Sequence, residues 1–305
     1  MKILLIGASG LLGAAFAQAA SRRKHEIIGI IGSYNGDVDG LHRQISIDLN
    51  DLAELERTTL ELFPDAIVNC AARSIPSDCE NDPEATRRIN VKVPEKLALL
   101  SRHLFARYLH ISSDQVFDGR EAPYFVDSQP SPPNQYAKQK LESERAVLDQ
   151  ASEFASVIRA PLLNGNSPRG DRSLHEMLFR SWSQGQSTSL FTDEYRQPCL
   201  VDNLAAAMVE LCERTDLRGL LHWGGSDRMS RFEIGKAILE RFGLPSELVQ
   251  SSQRGDDPRF ADRQEDLSLD LQPMAGALKT RPQTFAEQLE SLIVPIAYRE
   301  WYHSI

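Results

Sequence analysis

The sequence is short of the features that mark membrane, metal-binding or disulfide-stabilised proteins. Its 305 residues include four cysteines, and none of them forms a C-x-x-C pair. Its seven histidines are scattered, and no two have the spacing of a metal site on one helix face. No apolar run reaches the roughly 20 residues that a membrane-spanning helix needs. We therefore expect no metal, no disulfide framework and no membrane segment, with a reducing cytoplasm as the location.

Positive charge is also scarce. The 34 Lys and Arg residues are outnumbered by 43 Asp and Glu residues, which gives a formal net charge of −9. This excess of acid argues against a nucleic-acid partner. Hydrophobic residues make up 41% of the chain, which suits one large α/β domain or two unequal lobes.

What the sequence does have is a glycine-rich turn near residue 10. An apolar run ends at Gly7, two more glycines follow at intervals of three, and an alanine-rich segment with helical character continues to Arg23. A strand, a tight turn and a helix in this order bring backbone amides close to a pyrophosphate. The residues predicted to bind a dinucleotide here are Gly7, Ser9, Gly10, Leu11, Leu12 and Gly13.

The same stretch also fits a secretory signal, with Ala17-Gln18-Ala19 as its cleavage site. Three observations argue against that alternative. The glycines interrupt the apolar run at dinucleotide-fold spacing, and a second apolar run, 26–31, follows at once. The rest of the chain continues the nucleotide-binding pattern, which loss of the first 20 residues would destroy.

Strand and helix patterns alternate through the first half of the chain. Strands are predicted at 2–7, 26–31, 43–47, 65–70, 107–112 and 154–159. Helices are predicted at 10–23, 51–62, 82–104 and 136–150. Pro94 is expected to kink or split the third of these helices. This order predicts an α/β fold, a Rossmann-type doubly wound parallel sheet.

The pattern changes after Pro161. A loop at 164–173 is followed by shorter elements. Helices are predicted at 174–183, 201–214, 230–242 and 283–293, and strands at 188–191 and 219–222. We predict a dinucleotide-binding domain over 1–162 and a smaller C-terminal substrate-binding lobe over 163–305, with the chain crossing back to the sheet.

Ser113, Tyr136 and Lys140 are the residues best suited to chemistry. A Tyr and a Lys four residues apart lie on one helix face, and Ser113 follows the strand before that helix. Hydride reduction of a carbonyl places negative charge on oxygen, which a proton donor must meet. We predict that Tyr136 is the general acid. Lys140 is predicted to lower the pKa of the Tyr136 phenol and to hold the cofactor's ribose. Ser113 is predicted to donate the hydrogen bond that positions the carbonyl. A surface Tyr and Lys on an amphipathic helix are the alternative.

Together these motifs resemble the dTDP-4-dehydrorhamnose reductase family, a branch of the extended short-chain dehydrogenases. The G-x-x-G-x-x-G turn, the run Val116-Phe117-Asp118-Gly119 and the sequence Asn134-x-Tyr136 carry the resemblance. It implies reduction of a keto group on a nucleotide-linked deoxysugar by a nicotinamide dinucleotide. It also implies further cofactor contacts, namely Asp48 and Leu49 at the adenine and Cys70, Ala71, Ala72 and Pro161 elsewhere along the cofactor.

The sequence departs from the family pattern where the sugar is expected to bind. Gln115 replaces a usual Tyr, Leu162 stands where a Trp is usual, and Tyr195-Arg196-Gln197-Pro198-Cys199 replaces Tyr-Gly-Ala-Pro-Thr. A second reading is therefore a non-catalytic, dinucleotide-binding regulatory subunit, because the chain is also similar to the β subunit of methionine adenosyltransferase.

The end of the second predicted strand bears on the choice of cofactor. An acidic residue there would bind the ribose 2′-hydroxyl of NAD, but the chain reads Ile31-Gly32-Ser33-Tyr34. This leaves room for a 2′-phosphate that Ser33 or Arg43 is placed to contact. We expect NADP(H) rather than NAD(H), a nucleotide-sugar as substrate partner, and we allow for a homodimer.

Overall fold

A computed structural model describes residues 1–260 and 263–305. Strands are numbered in chain order as β1 Lys2–Ile6, β2 Glu26–Ile31, β3 Arg43–Ser46, β4 Ala66–Asn69, β5 Arg107–Ser113, β6 Ala155–Ala160, β7 Leu163–Asn164, β8 Thr188–Phe191, β9 Tyr195–Arg196, β10 Cys199–Leu200, β11 Gly219–His222, β12 Met229–Ser230 and β13 Val249–Ser252. The α-helices are α1 Leu11–Arg22, α2 Leu52–Leu62, α3 Pro76–Asn81, α4 Pro83–Arg87, α5 Val93–Leu104, α6 Gln135–Ala151, α7 Leu174–Ser183, α8 Val201–Glu213, α9 Arg231–Phe242, α10 Met274–Ala277, α11 Phe285–Glu290 and α12 Arg299–His303.

A seven-stranded parallel sheet organises the chain. Its spatial order is β11-β6-β5-β4-β1-β2-β3, so the strand order reverses at β1. In β1, Ile3 and Leu5 join the core on one face, whereas Leu4 and Ile6 join the core on the other. Strands that are buried on both faces read as continuous apolar runs, which is why the sequence predicts them well. The doubly wound Rossmann-type fold is confirmed.

The segment after Asp82 forms one continuous helical run to Leu104, which a π turn interrupts. Asp82 caps α4 by accepting a hydrogen bond from the Ala85 amide at 3.0 Å. A π-helical turn, Arg88–Lys92, then precedes α5, where Pro94 lies in the first turn. A proline inside a helix lacks the N–H for the usual intrahelical hydrogen bond, and here the π turn lies just before it. The helical run therefore continues through Pro94, with a π turn just before it that the sequence did not predict.

The chain returns to the large sheet after residue 200. Strand β11 pairs in parallel with β6, in the register Leu221↔Ile158, and so closes one edge of the sheet. Helix α8 shares a core cluster with α1, in which Leu204 and Met208 pack with Phe16. Residues 201–222 therefore contribute to the same layers as the first half of the chain. The proposed boundary between residues 162 and 163 stays a prediction.

The rest of the second half surrounds a core of its own. Helices α7 and α9 and the strand pair β8–β13 meet around Phe179, Trp182 and Phe242. The predicted helix 283–293 is shorter, because α11 covers Phe285–Glu290. Within the described residues, no helix is both long and apolar enough to cross a membrane.

Candidate active site

A cleft of about 1480 Å³ lies at the carboxyl ends of the sheet strands, between the glycine turn and the second half of the chain. The carboxyl edge is where open α/β sheets bind ligands. The residues that directly follow β1, β2 and β4 line it together with residues of β3, β5 and α6, and so do residues from 160–163, α7, β9 and α9. The sequence-predicted residues that line it are Gly7, Ser9, Gly10, Leu11, Leu12, Ser33, Asp48, Leu49, Cys70, Ala71, Ala72, Ser113, Tyr136, Lys140 and Pro161.

Gly13 is the residue of the predicted glycine turn that is not among the cleft-lining residues. It is buried beneath the turn, where a Cβ would lie 2.2 Å from the Gly7 carbonyl oxygen. Gly7 has φ +78°, and a Cβ there would lie 2.8 Å from the Ala71 nitrogen. Both glycines therefore let backbone segments approach each other closely, so the role of Gly13 is to shape the turn.

The glycine turn leaves the start of α1 open to the cleft. Gly10 is the N-cap and makes no side-chain cap hydrogen bond, and the first turn holds no acidic residue. The first amides of a helix lack intrahelical partners, and the helix dipole favours negative charge beside them. A pyrophosphate fits this position. The residues present therefore suit a dinucleotide.

Ser113, Tyr136 and Lys140 come together in the same cleft. Ser113 ends β5, and its hydroxyl donates to Asp114 Oδ1 at 3.1 Å. Asn134 caps α6 by accepting from the Ala137 amide at 2.9 Å, which places Tyr136 in the first turn. Both side chains are nearly buried yet reach the cleft surface.

Lys140 lies one turn further along α6 and is 2% exposed. Its Nζ donates to the Ile111 carbonyl oxygen at 2.6 Å. Burial lowers the pKa of Lys140 to about 8, against the opposing influence of the nearby Glu144 carboxylate. The cation is therefore poised to exchange a proton only slightly above neutral pH.

The pKa of Tyr136 corrects one sequence expectation. Burial raises the pKa of the phenol well above its usual range, the Asp114 carboxyl raises it further, and the Ser113 hydroxyl acts in the opposite direction. The predicted lowering by Lys140 is therefore wrong for this structure, in which burial dominates and the ammonium bonds to a backbone carbonyl. The phenol keeps its proton at neutral pH.

Glu144 links helix α6 to the sheet beside the site. Its carboxylate accepts from Arg159 at 3.0 and 2.8 Å and from the Ser112 hydroxyl at 2.5 Å. Ser112 on β5 lies opposite Arg159 on β6, and both ion-pair partners are 2% exposed. This buried pair ties α6, which carries Tyr136, to two strands of the sheet.

One wall of the cleft is rich in arginine, and sequence reasoning named only Arg196 of it, as a departure from the family pattern. Glu194 is 1% exposed and accepts from Arg263 at 2.5 and 3.0 Å; it also pairs with Arg196 at 3.0 Å and with Arg231 at 3.8 Å. Burial would raise the pKa of Glu194, but the three guanidinium groups lower it below its usual range. Arg196 and Arg231 also lie near the Asp114 carboxyl, so three cations face two acidic groups and positive charge is in excess.

Asp114, which directly follows Ser113 in the predicted site motif, had no role assigned from the sequence. Its carboxyl is 3% exposed, and burial raises its pKa to about 6 despite the influence of Arg196. Its Oδ2 has no hydrogen-bond partner among the described residues. The sequence feature that pointed to Asp114 was its position directly after the strand that ends in Ser113. The arginine cluster left no such signal because its members are distant in sequence.

Arg43, the sequence candidate for a cofactor phosphate contact, is exposed on β3 and is not among the residues that line the cleft. Ser33 and Tyr34 do line it. No cluster of three or more His, Cys, Asp or Glu side chains suited to a metal ion is found in residues 1–260 and 263–305.

The fold and the Ser-Tyr-Lys site place the chain in the class of Rossmann-fold oxidoreductases. A family model described as the RmlD substrate binding domain matches residues 1–297. The chain belongs to this family, which confirms the resemblance to dTDP-4-dehydrorhamnose reductases.

Individual relatives agree with this assignment. The chain is 33% identical over 250 residues to the methionine adenosyltransferase 2 subunit beta of Xenopus laevis, covering 80% of this chain and 73% of that protein. It is 28% identical to a probable low-salt glycan biosynthesis reductase of Haloferax volcanii, covering 96% and 97% of the two chains. A hypothetical dTDP-4-dehydrorhamnose reductase from Sulfolobus tokodaii superposes with a TM-score of 0.82 at 29% identity, over 96% of this chain and 100% of that one.

Proposed function

We propose that the protein uses NADP(H) to reduce a keto group on a nucleotide-linked deoxysugar. The observation that carries the proposal is the meeting of Ser113, Tyr136 and Lys140 in one cleft with an uncapped glycine turn. Similarity to a hypothetical dTDP-4-dehydrorhamnose reductase and to a glycan biosynthesis reductase supports the reaction class.

The proton-transfer steps follow from the side chains. A bound nicotinamide dinucleotide would supply the hydride. Ser113 donates a hydrogen bond that orients the substrate carbonyl. Tyr136 holds its proton at neutral pH and gives it to the carbonyl oxygen as negative charge develops there. Lys140, with a pKa of about 8, holds the cofactor's ribose, and a proton from solvent restores the phenol afterwards.

The arginine-rich wall supports an anionic substrate. Arg196, Arg231 and Arg263 line the same cleft as Tyr136, and they share the Glu194 carboxylate. Guanidinium groups bind phosphate oxygens through paired N–H donors. A diphosphate linked to the sugar would lie against this wall with the keto group toward Tyr136.

The proposal is tested by following NADPH absorbance with purified protein and a dTDP-4-keto-6-deoxy sugar. We expect steady oxidation by the wild type and none above background by Tyr136→Phe. Tyr298→Phe, on a 3₁₀ turn remote from the cleft, is the matched control and should turn over normally. Tight NADPH binding without oxidation by any such sugar would overturn the proposal.

A second candidate, a regulatory subunit that binds a dinucleotide without turnover, is favoured by the 33% identity to a methionine adenosyltransferase subunit. Co-purification of a stable partner whose activity is the same with wild type and Tyr136→Phe would support it. The cytoplasmic location and the homodimer stay predictions, to be checked by fractionation and by light scattering.

A further inference from the structure

An arginine from the second half of the chain lies over an aromatic ring at the end of β2. The guanidinium carbon of Arg169 is 5.2 Å from the centroid of the Tyr34 ring. Both residues line the cleft, next to Ser33. They are 135 positions apart in sequence, so this contact joins the two halves of the chain across the mouth of the cleft.

The Tyr34 ring is held in place from below. It is half-buried and packs against the core cluster that contains Phe16 and Ala17. Gly36 provides the room for its phenol, because a Cβ at that position would lie 2.6 Å from the Tyr34 hydroxyl. The ring is therefore a fixed platform on which a guanidinium group can stack.

The loop that carries Arg169 is also held in place. The Glu176 carboxylate on α7 is 2% exposed and accepts from the backbone amides of Ser167 at 2.6 Å, Arg172 at 2.7 Å and Ser173 at 2.9 Å. The Gly170 amide closes a turn by donating to the Ser167 carbonyl at 3.1 Å. Arg169 lies within this turn, so its backbone position is defined.

The charge at this place is suited to an anion. Arg172 pairs with Asp171 at 3.4 Å, whereas the Arg169 guanidinium lies over the Tyr34 ring and Arg169 lines the cleft. The strand β2 ends at Ile31 and is followed by Gly32 and Ser33, which carry no negative charge. The end of the second strand is where a Rossmann fold meets the adenosine ribose.

We infer that Arg169, together with the Ser33 hydroxyl, binds the 2′-phosphate of NADP(H). This rests on the proposed function only in assuming that a nicotinamide dinucleotide occupies the cleft. The cofactor preference of the protein is then set by a loop of the second half, stacked on Tyr34, and not by Arg43 on β3.

The test is a direct binding measurement with NADPH and NADH, which requires no turnover. We expect the Arg169→Ala variant to bind NADPH about 10- to 100-fold more weakly than the wild type, because it loses a charge-assisted contact. NADH binding should change less than about twofold, because NADH lacks the phosphate. Arg169→Lys should recover part of the loss, since the charge is kept but the paired donors are not. Arg43→Ala, which removes an equal charge outside the cleft lining, is the matched control and should bind both dinucleotides like the wild type.

The outcomes separate this inference from the proposed function. If the wild type binds neither dinucleotide, the proposed function fails. If the wild type binds both equally, or if Arg169→Ala keeps the wild-type ratio of NADPH to NADH affinity, the inference is overturned and the proposed reduction stands. If the Arg43→Ala variant lost the preference for NADPH over NADH, the contact to the 2′-phosphate would lie on β3. That result would likewise overturn the inference.

Discussion

The buried ammonium of Lys140 should make the stability of the protein depend on alkaline pH. Burial lowers its pKa from 10.5 to about 8. A difference of one pKa unit between folded and unfolded states corresponds to about 1.36 kcal/mol. Keeping the charged side chain buried below pH 8 therefore costs about 3 kcal/mol of folding free energy.

The number of protons bound by the folded and unfolded states decides whether stability rises or falls with pH. Below about pH 8 both states hold the proton, and the full cost is present. Between about pH 8 and 10.5 the folded state loses the proton while the unfolded state keeps it. The unfolded state then binds more protons, so the contribution of Lys140 to stability rises with pH. From pH 7.5 to 9.5 the gain is about 2 kcal/mol.

Urea unfolding of the wild type and of Lys140→Met at pH 7.5, 8.5 and 9.5 measures this effect. The wild-type free energy of unfolding minus that of the variant should rise by about 2 kcal/mol across the range, because the other titrating groups largely cancel. Lys138→Met is the matched control, since Lys138 is exposed on the same helix, and its difference should stay flat. A flat difference for Lys140→Met as well would refute the reasoning.

Three further variants probe the turn, the acid and the supporting pair. Tyr136→Phe should lower kcat for keto-sugar reduction by about 10²- to 10⁴-fold with NADPH affinity nearly unchanged, as measured by absorbance and calorimetry; equal loss of both would argue for a structural role. Gly13→Ala places a Cβ 2.2 Å from the Gly7 oxygen and should cost about 1–3 kcal/mol, seen as a lower Tm and weaker dinucleotide binding; a wild-type Tm would contradict the geometry. Glu144→Gln leaves Arg159 buried without a carboxylate and should destabilise by about 3–5 kcal/mol in urea unfolding, and a loss under 1 kcal/mol would show that the pair is not stabilising.

Local patterns predicted the parts of the molecule that local physics decides. Strand β1 is apolar from Ile3 to Ile6 because both of its faces are covered, and Tyr136 and Lys140 share a helix face because of their spacing. The wrong expectation for the Tyr136 pKa has a tertiary cause, since burial outweighs the nearby cation. Sequence spacing carries no information on burial of that kind.

The arginine wall could not be predicted for a different reason. Glu194, Arg196, Arg231 and Arg263 come from segments separated by 30 or more positions, and only the return of the chain brings them together. In a chain with excess acid, a single arginine has no distinguishing pattern around it. Charge clusters built from several loops therefore need the folded structure before they can be recognised.

The departures from the family pattern fall where side chains can change without moving the backbone. The backbone carbonyl of Gln115 accepts a hydrogen bond from the Gln264 side-chain amide at 3.1 Å, and the backbone carbonyl of Leu162 accepts one from the Cys199 amide at 2.9 Å. Both side chains line the cleft. Replacing them alters the shape offered to a sugar but leaves these backbone hydrogen bonds in place. Substrate choice can thus diverge while Tyr136 and Lys140, which are fixed on α6, stay in position.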